Sequence, residues 1–286
     1  MSFINEFEEK VKNTIKEYKL FTKKDKVLVA CSGGKDSTTA LYIIHKLGYD
    51  VEALIIDLEI GDYSKENIFN LRNFCRKYKI KLNESSFREE FGYRKCDIEK
   101  ILKSKGVNLN SCALCGVLRR YMLNKLSRKL GFDVVVTGHN MDDEAQAILM
   151  NFFRNTMSLQ ARLGPKSGVI KDKRFVPRVK PLYFCLEEYV KKYAQIHKFE
   201  LVYYKCPCIR DSFRNKIKET LNSLIKSRKL KENIVCNFLE ILPLIRAKFG
   251  AKKEILSCSK CGEPTSEKIC STCNLVENLK NNKISF

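Results

Sequence analysis

The chain has 286 residues, enough for one sizeable core and a small appendage, and 44% hydrophobic content excludes wholesale disorder. It has no run of about 18 apolar residues and no signal-peptide-like start, so a cytoplasmic protein with no membrane partner is expected. Lys plus Arg number 54 against 33 Asp plus Glu, and the resulting +21 points to a polyanionic partner, most simply a nucleic acid.

In chain order, Phe3 to Leu20 carries an apolar helical stripe. Strands are expected at Lys26–Cys31, Val51–Leu58, Ile80–Ser85 and Phe132–Thr137. Helices are expected at Ser37–Leu47, Lys65–Tyr78, Val117–Leu130 and Asp142–Arg154. This alternation predicts an α/β fold with a parallel sheet. Gly and Pro make Arg162–Pro181 a loop or irregular hairpin. A helix at Leu186–His197, a short strand at Glu200–Tyr204 and a basic helix at Asp211–Lys226 follow. The last helix is Glu232–Phe249, with Pro243 as a potential kink. Composition changes near 252–256, which divides the chain into an N-terminal helix (1–24), an α/β body (25–252) and a Cys-rich appendage (256–276).

Ser32-Gly33-Gly34-Lys35-Asp36-Ser37 lies between the first strand and its helix. A Gly-rich turn there presents free amides and the positive helix end to a phosphate, with Ser hydroxyls and a Lys charge in reach. The Walker spacing is absent, because Val29 and Asp36 stand where that pattern needs Gly and Ser or Thr. A second motif, Thr137-Gly138-His139-Asn140-Met141-Asp142-Asp143-Glu144, follows the fourth strand and faces the first. Its carboxylates suit Mg²⁺ on a nucleotide, with Asp143 the functional candidate and Asp142 the helix-cap candidate.

Thirteen cysteines without an export signal argue for metal or thiol chemistry rather than disulfides. Cys75, Cys96, Cys185 and Cys236 read as small core hydrophobes. Cys112 and Cys115 open a helix, where thiolate is favoured, with Arg119 and Arg120 one turn on. Cys206-Pro207-Cys208 ends the expected strand at Glu200–Tyr204. Spacing alone leaves a cluster or other metal, thiol redox chemistry and plain structure open. Cys258-x-x-Cys261 and Cys270-x-x-Cys273 form a four-thiolate zinc pattern, structural rather than catalytic, with RNA docking or dimer contact as its expected use. Two basic clusters offer an RNA path. One contains Arg210, Arg214 and Lys218; the other contains Lys171, Arg178 and Lys180.

The hexapeptide resembles the signature of the PP-loop ATP-pyrophosphatases. That resemblance implies cleavage of ATP between its α and β phosphates and an adenylylated intermediate. It also places ribose and adenine over the carboxyl ends of the first strands, near Ala30, Ile56 and Asp57, with Gly138 and His139 facing them. Four features in order also resemble the tRNA 2-thiolation branch, over roughly residues 3–275. They are the loop, Cys-x-x-Cys-Gly at a helix start, Gly-His-Asn-x-Asp-Asp-Glu-Ala, and Cys-Pro before a basic helix. The resemblance implies 2-thiolation of a tRNA uridine, with Cys112, Cys115 and Cys206 holding a 4Fe–4S cluster and Cys208 a bystander. The sulfur would come from a sulfur-carrier protein or inorganic sulfide, and the chain would dimerise. The branch usually has a ribbon before its first helix, where this chain starts at Phe3, and commonly Lys where Arg119 stands. Three alternatives stay open: a cluster-free persulfide relay on Cys115 or Cys206, a PP-loop synthetase for a small molecule, and a zinc RNA-binding protein with a relic loop.

Overall fold

The structure, a computed structural model, describes residues 2–107, 109–167, 172–204, 206–208, 213–224, 228–250 and 254–280. Helix α1 (Phe3–Glu17) is capped by Ser2 and buries Phe7, Val11 and Ile15. Strand β1 (Val27–Cys31) then leads into α2 (Lys35–Lys46), β2 (Val51–Asp57), α3 (Gly61–Tyr78) and β3 (Leu82–Ser86). Three helices precede the next strand: α4 (Phe87–Phe91), α5 (Lys95–Ser104) and α6 (Ser111–Lys129). Strand β4 (Val134–Thr137) leads into α7 (Met141–Phe153), α8 (Met157–Gln160), β5 (Lys166–Ser167), β6 (Arg178–Val179) and α9 (Glu187–Ile196). Two long helices, α10 (Phe213–Leu224) and α11 (Arg228–Phe249), complete the body. A two-strand ribbon, β7 (Leu256–Ser257) and β8 (Pro264–Thr265), ends in α12 (Ser271–Lys280).

The main sheet runs β3-β2-β1-β4-β6-β5, parallel except for β5. Strand order reverses at β1, since β2 and β3 build outward on one side and β4 lies on the other. Such a switch point leaves a crevice at the carboxyl ends of β1 and β4, and both motifs lie there. Val27 and Val29 face α1, α2 and α9 across one side of the sheet, while Leu28, Leu54 and Val135 face Leu123 of α6 on the other. A second core joins α7, α10 and α11 through Ile148, Ile217, Phe238 and Leu242. A third joins α4, α5, α6 and α12 through Phe87, Ile98, Leu118 and Leu275.

Several expectations change. Glu200–Tyr204 is not a strand. It adds to neither end of the sheet, whose outer strands are β3 and β5. Instead Phe199 packs on Phe74 and His197, and Tyr204 meets Tyr63 and donates to Glu66 of α3. Helices α3 and α6 begin earlier than their apolar periodicity suggests. Cys75 and Cys185 are buried, but Cys96 is half-buried and Cys236 exposed, so these two are not core residues. Among the described residues no helix is long and apolar enough to cross a membrane.

Candidate active site

The phosphate loop is shaped by close backbone approach. Gly33 has φ +79, and a Cβ on it would stand 2.5 Å from Asn67 Oδ1. A Cβ on Gly138 would stand 2.5 Å from the Ser37 amide nitrogen, so the β4 motif is pressed against the loop's backbone. Ser37 Oγ accepts from the Ser32 amide at 3.2 Å and donates to the Gly34 carbonyl at 3.2 Å. No side chain caps the start of α2. Its first-turn amides therefore suit an anion, and the cradle fits a nucleotide phosphate. By contrast, α7 is closed by a capping box in which Asn140 accepts from the Asp143 amide and Asp143 accepts from the Asn140 amide. Asn140, not Asp142, is the cap.

Around the loop the carboxylates and cations are paired. Lys35 Nζ meets Asp36 Oδ2 at 2.9 Å and Glu187 Oε1 at 3.0 Å. Lys218 Nζ meets Glu187 Oε2 at 2.7 Å, and Arg214 Nη1 meets Asp143 Oδ1 at 3.2 Å. Asn140 Nδ2 donates to Asp36 Oδ1 at 2.9 Å, joining the two motifs directly. Asp142 accepts from the Glu187 amide at 2.8 Å and pairs with Lys231. Burial raises the Asp36 carboxyl against the pull of Lys35, and likewise raises Asp143 against Arg214. Burial works the same way on Glu187, but hydrogen bonds from Lys218 and Lys35 outweigh it and hold that carboxyl down to about 2. Glu187 and Asn67 were not singled out from sequence, whereas Asn140 was read only as part of its motif and Lys231 only as one of a basic cluster. Glu187 opens a helix with no motif of its own, and the others act across distant segments.

His139 is solvent-exposed at the end of β4, with cationic side chains close around it. Partial loss of solvation, reinforced by Lys180, Arg214, Arg119 and Arg178, holds the imidazole well below its usual range and thus neutral. Its Nδ1 lies 2.8 Å from Thr137 Oγ1. Ala30 sits at the carboxyl end of β1, in register with Thr137 and Leu54, while Ile56 and Asp57 end β2 beside β3.

Asn110 caps α6 by accepting from the Cys112 amide at 2.8 Å. Cys112 is exposed and Cys115 half-buried. Burial raises the Cys115 thiol despite Arg119 beside it, which outweighs the helix-end effect expected from sequence. Cys206 lies close enough to Cys115 for each thiol to act on the other's charge, and Cys208 lies beside both Cys206 and Cys96. Tyr63 feels Cys206 and Arg119 together. The fold thus brings Cys206 near Cys115, which itself neighbours Cys112. Among the described residues, only the ribbon's four sulfurs meet single-ion distances.

In the ribbon, the sulfurs of Cys258, Cys261, Cys270 and Cys273 lie within 4.8 Å of one another, as a single metal ion requires. The Cys270 amide points at Cys258 Sγ (3.3 Å) and the Cys273 amide at Cys270 Sγ (3.4 Å). The module is fastened to the body: Glu263 accepts from Arg128 at 2.5 Å and from Asn124 at 2.8 Å, and Leu275 and Leu279 enter the α5–α6 core.

The basic residues divide. Lys180 turns inward, where its 2.7 Å pair with Glu144 buries both charges, so it is not presented to RNA. Burial and the neighbouring Arg120 lower the half-buried Arg178 guanidinium. Arg214 and Lys218 pair with Asp143 and Glu187, two carboxylates beside the phosphate loop. Arg210 and Lys171 lie outside the described residues.

A family model described as "PP-loop domain" matches residues 4–225. The tRNA-5-methyluridine(54) 2-sulfurtransferase of Pyrococcus horikoshii is 35% identical over 93% of this chain and 83% of its own length. Cytoplasmic tRNA 2-thiolation protein 1 of Caenorhabditis elegans is 32% identical over 97% of this chain and 74% of its own. The structure of a U34-tRNA thiolase, NcsA from Methanococcus maripaludis, solved with its 4Fe–4S cluster, matches with a TM-score of 0.79 at 27% identity. That match covers 97% of this chain and 88% of the other. With loop, partner motif and cysteine set all in place, the chain belongs to the PP-loop domain family, among the tRNA 2-thiolation proteins.

Proposed function

We propose that the protein catalyses ATP-dependent 2-thiolation of a tRNA uridine. The observation that carries this reading is the place of Arg119, which lies beside Cys115 and also acts on His139. Arg119 therefore links the nucleotide motif to the cysteines.

In the first step the uridine O2 attacks the α phosphorus of ATP, the α–β bond breaks, and pyrophosphate leaves. In the second, a sulfur nucleophile adds at C2 and AMP leaves with the former O2. The Ser32–Ser37 loop and the α2 amides hold the departing pyrophosphate. Lys35, Lys218 and Arg214 exchange their protein carboxylates for phosphate oxygens. Asp36 and Asp143, freed of those cations, would hold Mg²⁺ carried by the nucleotide. His139, neutral and bonded to Thr137, offers Nε2 to the substrate. Arg119 contributes charge and hydrogen-bond donors. A 4Fe–4S cluster on Cys112, Cys115 and Cys206 would supply an iron position that no protein thiolate fills. Zn²⁺ on the ribbon would be structural. A sulfur-carrier protein or inorganic sulfide would provide the sulfur. Burial of the Cys115 thiol argues against its use as a free persulfide carrier.

The test is anaerobic incubation of iron-loaded protein with tRNA, ATP and sulfide. Nucleoside mass spectrometry should show 2-thiouridine, with pyrophosphate release that depends on tRNA. Iron-loaded protein that releases no pyrophosphate and forms no thiolated base would overturn the reading.

A further inference from the structure

Lys95 opens α5, and only 1% of its side chain is exposed. An ammonium taken out of water is costly unless its donors are met. Glu99 Oε2 receives one at 2.5 Å, one turn along α5. Ser111 Oγ receives another, and its own hydroxyl donates to Glu99 Oε2 at 2.8 Å. Lys103 holds the second Glu99 oxygen at 2.9 Å. The Cys208 thiol lies beside the same ammonium.

These partners sit on the two segments that matter. Ser111 directly precedes Cys112 at the start of α6, and Cys208 is two residues beyond Cys206. The inner face of α5 is otherwise apolar, with Ile98 and Leu102 buried. A buried ion pair there is no route to extra stability, since an apolar residue of similar volume often does as well or better. What the charge gives is fixed geometry between two segments far apart in sequence.

We propose that Lys95 is a positioning residue which sets the separation between the Cys112–Cys115 pair and Cys206. This rests on the reading of those three cysteines as cluster ligands. Glu99 and Ser111 orient the ammonium, and Cys208 is its contact on the far segment, which gives that cysteine a role other than ligand.

The test compares full-length wild type, Lys95→Met and Lys95→Arg, reconstituted anaerobically with iron and sulfide. Lys95→Met should keep its circular dichroism and its zinc but bind iron roughly 10- to 100-fold more weakly, the usual cost of lost outer-shell support. The electron paramagnetic resonance spectrum of whatever cluster forms should change, and Lys95→Arg should load nearer to wild type. In iron-free protein, cross-linking of Cys115 to Cys206 by dibromobimane should fall in Lys95→Met. Equal iron affinity, spectrum and cross-linking in Lys95→Met would overturn the proposal. Should that variant not fold, Ser111→Ala gives the same comparison and must shift loading and cross-linking in the same direction. Wild type that takes up no iron refutes the cluster reading instead, and unchanged cross-linking then refutes the role of Lys95 separately.

Discussion

The protein holds cysteines in two different ways. The ribbon gathers four thiols from one stretch of 16 positions, 258–273, around a space that fits one ion. The proposed central site would take Cys112 and Cys115 from α6 and Cys206 from a distant segment, so their spacing would depend on how the body packs. A closed four-thiolate site carries its own folding energy, whereas an open three-thiolate site borrows its geometry from neighbours such as Lys95. The first belongs to structure and the second to chemistry.

The largest test of that contrast is metal removal. Chelating the ribbon should release a contribution on the order of 10 kcal/mol to local folding. Amide exchange should then rise through 254–280 and also in α5, because Leu275 and Leu279 pack there. Unchanged exchange in α5 would show the two regions to be independent. The reciprocal change, Cys206→Ser, should abolish iron binding and leave zinc at one ion per chain, read by elemental analysis. Next in size, Gly138→Ala forces a Cβ against the Ser37 backbone. It should lower tRNA-dependent pyrophosphate release by about 10²-fold, the scale of a misplaced reacting group, while sparing both metals. Arg214→Ala should raise the KM for ATP by roughly tenfold, the worth of one charge-assisted contact. It should change thermal stability by less than about 1 kcal/mol, since its pair with Asp143 is partly exposed.

The smallest expected effect is a pH dependence at Glu99. Burial opposes its charge, but bonds from Lys95, Lys103 and Ser111 outweigh it and hold the carboxyl at about 2, below the ordinary 4.5. Its stabilisation is therefore complete above the ordinary value and is lost as pH falls through about 2. Glu99→Gln should remove this term, on the order of 1 kcal/mol, so urea midpoints of the variant should fall less between about pH 5 and 2.

Local patterns were legible in the sequence. The Ser32–Ser37 loop announces itself because its glycines and the flanking strand and helix are contiguous, and the ribbon does so by spacing alone. What lay hidden depends on contacts between remote segments. Leu201-Val202-Tyr203-Tyr204 has strand composition, but Tyr204 packs on Tyr63 and bonds Glu66 of α3 rather than joining the sheet. Lys180 looked like one more surface cation, and only the fold brings it to Glu144. Nothing near Lys95 in sequence marks it, since Ser111 and Cys208 reach it only through packing.

The docking of α12 also bears on how the protein is made. The core around Cys112 and Cys115 needs Leu275 and Leu279, which a ribosome adds on the order of ten seconds after α6. Until then Leu114 and Leu118 have only earlier-made neighbours such as Phe87, Ile98 and Leu102 to pack on. Cluster insertion at this site should therefore follow synthesis and not accompany it.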